Sequence, residues 1–203
     1  MQLALDSKTL MRFVRLWLGL LTYGLGLALI VEARIGVPPW DVFAQGISKQ
    51  AHISYGWASV VVSALVLLTW IPLKQRWGIG TVLNGIFIGL FADFWMNLLP
   101  EASEYWLQLT AFCVGMVLVA LATGLYISAH LGTGPRDGLM IGTQRWLDWK
   151  FWQIRTMYEG IVLTLGWFMG GQVREGTLIF AVCIGYLMQL SLKFFKFVDT
   201  QVK

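Results

Sequence analysis

Two stretches of this sequence carry the same pattern, Gly-x-x-Pro-x-Asp, directly after a long apolar run. The first, GVPPWDVFAQGIS, covers residues 36–48, and the second, LGTGPRDGLMIGTQ, covers residues 131–144. Gly36 and Gly132 are 96 residues apart, and the prolines and aspartates of the pattern are separated by the same interval. A turn motif that recurs in this way indicates a fold built from two related halves.

The composition is that of a membrane protein. Of the 203 residues, 57% are hydrophobic and 13% are charged, whereas about a quarter of a soluble domain is charged. The mean hydropathy is +0.67, and the length suits one compact domain, so we expect a single transmembrane domain over residues 1–203. The net charge is +4, but the basic residues flank apolar runs, so binding of nucleic acid is not expected.

Six segments are long and apolar enough to cross the hydrocarbon core, which takes about 20 residues of helix. They cover residues 13–34, 55–73, 79–99, 109–130, 151–170 and 176–195. The first of them is longer than the core of a signal peptide, so we interpret it as an uncleaved first span.

The distribution of Lys and Arg predicts the orientation of these spans. With the amino terminus in the cytoplasm, twelve basic residues fall on the inner side and three on the outer side, which favours cytoplasmic termini. The inner twelve are Lys8, Arg12, Arg15, Lys74, Arg76, Arg136, Arg145, Lys150, Arg155, Lys193, Lys196 and Lys203, and the outer three are Arg34, Lys49 and Arg174. Lys74 and Lys150 are then expected to face the cytoplasm, and Glu101 and Glu104 the outside.

The chain aligns with itself at the interval of the two motifs. Residues 13–99 match residues 109–195 without a gap, and fourteen positions are identical. Eight of the fourteen are Gly, Pro, Asp or Thr, which a shared hydropathy does not explain. Because each half holds three spans, an odd number, the second half enters the membrane from the opposite side. We therefore predict two inverted-topology repeats, related by a rotation of roughly 180° about an axis in the membrane plane.

The motifs themselves predict a stop, a turn and a new short helix. Gly36 and Gly132 can end the preceding helix in a left-handed conformation, and Pro39 and Pro135 suit the first turn of the next helix. The two short helices are expected over residues 39–49 and 135–147. They either lie on the membrane surfaces or re-enter the membrane so that their amino-terminal ends face a central cavity.

The aspartates of the two motifs, Asp41 and Asp137, also have two readings. Each lies in the first turn of its short helix, where a carboxylate stabilises the positive helix end, so each is either a structural cap or part of a binding site.

These motifs, together with the Gly-Thr pairs at 80–81 and 176–177, resemble the YczE branch of the YczE/YyaS/YitT family of small bacterial membrane proteins. The likeness extends from about Leu16 to Phe195, with Pro38 where a glycine is more usual. The resemblance implies a multi-pass protein of the bacterial cytoplasmic (inner) membrane. Members often occur beside regulators with a pyridoxal-phosphate-binding domain, which implies amino acids, amines or vitamin B6-like compounds as cargo.

Polar residues inside a membrane are costly and usually face protein or water. Arg155 and Glu159 lie one turn apart on the fifth span, so they can form an ion pair that is either structural or functional. Asn84 and Asp93 lie on opposite faces of the third span, and Asp93 is interpreted as interfacial. The candidate substrate-binding residues are Asp41, Asp137, Trp40, Arg136, Gln45, Gln144, Glu159 and Arg155. Three tyrosines, Tyr23, Tyr126 and Tyr158, are expected to pack in the core.

The sequence thus predicts a membrane transporter of a small polar solute, with its site near the midplane between the repeats. Asp41, Asp137 and Glu159 favour an amine-bearing or zwitterionic cargo over a strongly anionic one, and Asp137→Asn is expected to reduce uptake more than Asp93→Asn. The alternatives are a non-transporting scaffold or accessory subunit, and a channel. No enzymatic activity, cofactor or metal is expected, because none of the usual motifs is present. The sequence leaves the oligomeric state open, a homo-oligomer included.

Overall fold

The computed structural model describes residues 7–100, 103–147, 149 and 151–195, and within them every regular element is a helix. The helices are α1 (Ser7–Glu32), α2 (Pro39–Ala51), α3 (Tyr55–Trp70), α4 (Ile79–Met96), α5 (Tyr105–Ile127), α6 (Pro135–Leu147), α7 (Phe151–Phe168) and α8 (Glu175–Phe194). Four residues for which a side of the membrane was predicted lie outside the described residues: Glu101, Lys150, Lys196 and Lys203.

Four of these helices are long and apolar enough to cross a membrane: α1, α4, α5 and α8. Helices α2 and α3 meet at 113° across a short break, and together they qualify as a fifth, broken or re-entrant, span. The chain is therefore an all-helical membrane protein whose apolar helices contact the lipid bilayer, with four or five candidate spans by length and composition.

Helices α1 and α5 form the centre of the molecule. They pack along each other, and α4 and α8 then pack on α1 and α5, respectively. Glycines permit this close approach: a Cβ on Gly26 would lie 2.8 Å from the carbonyl oxygen of Gly115, and one on Gly24 would lie 2.5 Å from Cβ of Phe91. The main core consists of buried apolar side chains from these helices, including Leu20, Leu27, Phe112, Val119 and Ile184.

The packing is reciprocal at the interval of 96 residues. Helix α2 packs on α7, and its counterpart α6 packs on α3, the counterpart of α7. At residue level, Gly19 faces Tyr126, whereas Gly115 faces Ile30. Each of these two contacts becomes the other when the equivalent residues of the two halves are exchanged.

The loops after α1 and α5 differ from the prediction in one respect. The left-handed residues that follow these helices are Arg34 (φ 56°) and His130 (φ 53°), not Gly36 and Gly132. The two glycines have φ near 130° and serve a packing role, because a Cβ on Gly36 would lie 2.6 Å from the amide nitrogen of Thr177.

Those loops are joined to helix starts in the other half. The amide of Gly176 donates to the carbonyl of Ile35 at 2.7 Å, and the amide of Gly80 donates to the carbonyl of Leu131 at 2.9 Å. The Gly-Thr pairs of the sequence therefore receive the Gly-x-x-Pro-x-Asp loops of the opposite half, which explains why both motifs recur together.

The short helices begin at Pro39 and Pro135, as the sequence predicts. Asp41 lies in the first turn of α2, as the sequence predicts, but Pro38 occupies the N-cap position and no side chain makes a capping hydrogen bond to this helix. The Asp41 carboxylate instead contacts side chains from other helices.

One feature breaks the equivalence of the two halves. Helix α3 packs along α4, where a Cβ on Gly89 would lie 2.5 Å from the carbonyl oxygen of Gly56. Among the described residues, no similar packing joins α7 to α8, and a Cβ on Gly185, the counterpart of Gly89, meets no atom within 4 Å.

Candidate functional site

The amino-terminal ends of the two short helices meet in the protein interior. Arg136, on the first turn of α6, donates from Nη2 to Oδ1 of Asp41, on the first turn of α2, at 3.2 Å. The guanidinium carbon of Arg136 also lies 5.5 Å from the ring centroid of Trp40, within range of a cation–π interaction. Trp40 and Arg136 are equivalent positions of the two halves, so their mutual contact marks the centre of the reciprocal arrangement.

Asp41 is almost completely buried, with 1% of its surface exposed. Its Oδ1 also accepts a hydrogen bond from the hydroxyl of Tyr55 at 2.8 Å. Its Oδ2 and the indole nitrogen of Trp40 have no partner among the described residues. Buried polar atoms normally have a hydrogen-bond partner, so an unused acceptor and an unused donor on neighbouring residues make these residues candidates for a binding site.

Trp40 and Asp41 line a small cavity between the two halves, the Asp41 cavity, of about 40 Å³. The polar residues that line it are Tyr23, Trp40, Asp41, Arg136, Asp137, Arg155 and Glu159, and the apolar ones are Pro38, Pro39, Met140, Phe180, Ile184 and Met188. Arg155 and Glu159 form the ion pair that their spacing predicts, with Nε and Oε1 2.8 Å apart. The cavity has room for water but is far smaller than a pocket of several hundred Å³ for a larger ligand.

A second cavity of about 40 Å³ lies on the other side of Arg136, and we call it the Asp137 cavity. It is lined by Tyr23, Ser59, Ser63, Asn84, Ile88, Tyr126, Gly134, Pro135, Arg136 and Asp137. The hydroxyl of Tyr126 donates a short hydrogen bond to Oδ2 of Asp137. The side-chain nitrogen of Asn84 is buried without a partner.

The two cavities are lined by equivalent positions. Eight pairs of lining residues are related by the interval of 96: 38/134, 39/135, 40/136, 41/137, 59/155, 63/159, 84/180 and 88/184. The chemistry of the pairs differs, because Ser59 and Ser63 stand where the other half has Arg155 and Glu159. The fold thus builds two related cavities, one with several charged groups and one rich in neutral oxygen atoms.

Six of the eight residues proposed from the sequence line the Asp41 cavity, and the two glutamines do not. Gln45 accepts a hydrogen bond from the amide of Gln172 at 3.0 Å, in the loop between α7 and α8. Gln144 lies two turns after the aspartate of its motif, away from the residues that line either cavity.

Sequence reasoning missed the tyrosines as site residues. Tyr23 lines both cavities, and Tyr55 and Tyr126 donate to the two aspartates. Ser59 and Ser63 were visible in the alignment of the halves as the partners of Arg155 and Glu159, which is the signal that could have placed them. Asp93 lies elsewhere, where it accepts hydrogen bonds from the Gly56 amide and the Ser54 hydroxyl and holds the start of α3.

Comparisons with known proteins agree with this membrane architecture. A family model described as a family of unknown function, DUF6198, matches residues 10–193. An uncharacterized protein of Haemophilus influenzae is 39% identical over 169 residues, which cover 83% of this chain and 78% of that protein.

Two relatives come from Bacillus subtilis. The uncharacterized membrane protein YczE is 31% identical over 190 residues, covering 93% of this chain and 88% of its own. The uncharacterized protein YyaS is 25% identical over 182 residues, covering 88% of this chain and 90% of its own. No solved structure matches this chain. These matches confirm the resemblance to the YczE branch, and the chain belongs to the DUF6198 family.

Proposed function

We propose that this protein is a transporter of a small, amine-bearing or zwitterionic solute in the bacterial inner membrane, without enzymatic activity. It has six spans in two inverted repeats, cytoplasmic termini and a solute site at the Asp41 cavity. The observation that carries the proposal is the buried Asp41 carboxylate. One of its oxygens has no partner among the described residues, and it lies where the amino-terminal ends of the short helices α2 and α6 meet.

The reciprocal contacts support the inverted repeat. If residue A of one half contacts residue B of the other, and their counterparts make the exchanged contact, the halves are related by a two-fold axis. The pairs Gly19–Tyr126 and Gly115–Ile30 behave in this way, as do the hydrogen bonds Gly176–Ile35 and Gly80–Leu131. Two halves of three spans each then require the axis to lie in the membrane plane.

Contacts between loops support the placement of the predicted outer residues on one common side of the membrane. Lys49 donates to the carbonyl of Gly170, and Arg174 donates to that of Arg34, and all four residues belong to the predicted outer side. Arg136 and Arg155 line the Asp41 cavity in the interior, so these two do not count toward the charge of the loops. Twelve inner basic residues less these two leaves ten against three, and the bias remains.

The charges around the Asp41 cavity support an amine. Three carboxylates and two guanidinium groups line it, which gives a net charge of −1 when all are ionised. The free Oδ2 of Asp41 is an acceptor for an ammonium group, and the indole nitrogen of Trp40 is a donor for a carboxylate or hydroxyl oxygen. A zwitterion or a hydroxylated amine matches both atoms.

The difference between the halves supports alternating access. Helices α3 and α4 pack closely against each other at Gly89, whereas no described atom lies within 4 Å of a Cβ at the equivalent Gly185 of α8. Exchange of these two arrangements would expose the cavity to the opposite side of the membrane, as expected for rocking of inverted repeats around a fixed site.

Because the cavities are too small for a solute, its passage requires helix movement, which favours a carrier over a rigid channel. The charged interior favours a carrier over a scaffold.

The test is binding and uptake by the purified full chain. Thermal unfolding and uptake into proteoliposomes are measured with glycine, lysine, ethanolamine, putrescine and pyridoxamine, and with pyridoxine as the analogue that lacks the amine. We expect an amine to raise the melting temperature, because a ligand of the folded state stabilises it, and to be taken up. Glu159→Gln should weaken both effects, and Asp93→Asn, which removes a carboxylate away from the cavity, should not. If no amine in the panel binds or is taken up, the proposal is wrong.

A further inference from the structure

We propose that the Asp137 cavity is a binding site for Na⁺. The cavity presents side-chain oxygen atoms from the carboxylate of Asp137, the amide of Asn84 and the hydroxyl groups of Tyr23, Ser59, Ser63 and Tyr126. Carboxylate, amide carbonyl and hydroxyl oxygens are hard ligands, of the kind that alkali and alkaline-earth cations select.

Three of these oxygen atoms converge on one small volume next to Gly134. A methyl group at this position would have its carbon 2.9 Å from the Tyr126 hydroxyl, 3.0 Å from Oδ1 of Asn84 and 3.1 Å from Oδ2 of Asp137. The oxygens come from α4, α5 and α6, so the tertiary fold brings them together. The absence of a side chain at 134 keeps the volume between them clear.

Asn84 is the second, independent indication of a ligand. Its side chain is 7% exposed and lines the cavity, and its nitrogen has no partner among the described residues. A buried amide without a hydrogen bond is unfavourable, so the contents of the cavity are expected to contact it. Its oxygen is one of the three that converge next to Gly134 and is the atom available to a cation, while its nitrogen can donate to a water molecule that accompanies the ion.

The charge of the cavity selects a monovalent ion. Among the described residues that line it, Asp137 is the one carboxylate, and the guanidinium of Arg136, which also lines it, is paired with Asp41. Calcium sites use six to eight oxygen ligands with several carboxylates, and Mg²⁺ demands near-octahedral geometry. A single carboxylate with neutral oxygens in about 40 Å³ suits a small monovalent cation.

Ion binding here would affect the neighbouring Asp41 cavity. Tyr23, Arg136 and Asp137 line both cavities, so one positive charge beside Asp137 reduces the negative charge that the solute experiences. A role as coupling ion rests on the proposed transport function, whereas Na⁺ binding itself does not.

The test measures thermal unfolding of the purified full chain in NaCl, KCl and choline chloride at equal ionic strength. We expect a saturable rise of the melting temperature with Na⁺ that exceeds the rise with K⁺ and is absent with choline. Asp137→Asn should weaken the apparent Na⁺ affinity at least about tenfold, which corresponds to ~1.4 kcal/mol. Gly134→Ala should weaken it as well, because the methyl group occupies the volume between the oxygens.

Asp93→Asn is the matched control, because it removes a carboxylate outside the cavity and should keep the Na⁺-dependent rise whatever its own melting temperature. If a variant of Asp137 does not fold, Asn84→Ala and Gly134→Ala test the same site. Binding of radioactive sodium to the wild type gives a direct readout.

Equal stabilisation by choline, or a sodium effect that survives both Asp137→Asn and Gly134→Ala, would overturn the proposal. A protein that binds amines but not sodium would contradict this inference alone, and one that binds sodium but no amine would contradict the proposed solute.

Discussion

At the scale of single residues, the pair formed by Asp41 and Arg136 decides how the two halves meet. Each side chain comes from the first turn of a short helix, and each is largely buried. A charge in this position is costly unless it is paired, so each of the two residues is needed to compensate the other. The pair therefore has a structural role in addition to the binding role proposed for the free oxygen of Asp41.

A double-mutant cycle separates these two roles. Asp41→Asn and Arg136→Gln each leave one buried charge without its partner, so each should lower the free energy of unfolding by about 3 kcal/mol. The double variant removes both charges, so no buried charge is left unpaired. It should therefore recover most of the lost free energy of unfolding. Stability in detergent and amine binding are both measured. A double variant as unstable as the sum of the single variants would show that the two side chains do not act as a pair.

Single residues are also where prediction from sequence reached its limit. Asp41 and Asp137 were identified because the Gly-x-x-Pro-x-Asp pattern recurs, and the Arg155–Glu159 pair because charges inside an apolar segment are costly and its spacing is local. The partners Tyr55 and Tyr126 were not, because a tyrosine suits a core as well as a site, and only the tertiary fold brings its hydroxyl to a carboxylate.

At the scale of the helices, the equivalent glycines of α4 and α8 have different surroundings. Gly89 lies against the backbone of α3, whereas Gly185 has free space around it. A methyl group at Gly89 would therefore push α3 and α4 apart, but one at Gly185 would displace no described atom.

The same substitution should thus have opposite effects at the two positions. Gly89→Ala is expected to reduce the free energy of unfolding by about 1–3 kcal/mol, as overpacking does. Gly185→Ala is expected to be neutral or to stabilise by up to about 1 kcal/mol, because alanine favours the helix more than glycine does. Melting temperatures of both variants check this, and equal losses at the two positions would contradict the difference between the halves.

The short helices and the loops before them show which features could be predicted from neighbouring residues alone. Their starts at Pro39 and Pro135 followed from the proline rule, which depends on neighbouring residues alone. The left-handed conformations of Arg34 and His130 did not follow from a local rule, because glycine was expected at such a position. The glycines instead lie two positions later, where they contact the other half. That contact is between residues far apart in sequence, so it overrode the local preference.

At the scale of the whole molecule, the interval of 96 residues in the sequence reappears as exchanged contacts and as two cavities with equivalent linings. The alignment of the halves predicted these equivalences, because Gly, Pro and Asp are identical at positions whose apolar neighbours differ. It carried no information on how the halves differ in packing, because Gly89 and Gly185 are the same residue in the two copies.

That difference gives a test of alternating access. If the two arrangements exchange during transport, α8 must approach α7 as α4 approaches α3, and Gly185 then lies at the contact. Gly185→Leu should fold in the present arrangement, since a Cβ at this position meets no described atom within 4 Å, but it should prevent the opposite arrangement. We therefore expect uptake to fall at least about tenfold, equivalent to ~1.4 kcal/mol, while the melting temperature stays close to that of the wild type. Uptake is measured in proteoliposomes and normalised to folded protein, with Leu178→Ala, at an exposed position on the same helix, as the control. Unchanged uptake by a well-folded Gly185→Leu protein would mean that α7 and α8 do not close, and solute would then have to pass without an exchange of the two halves.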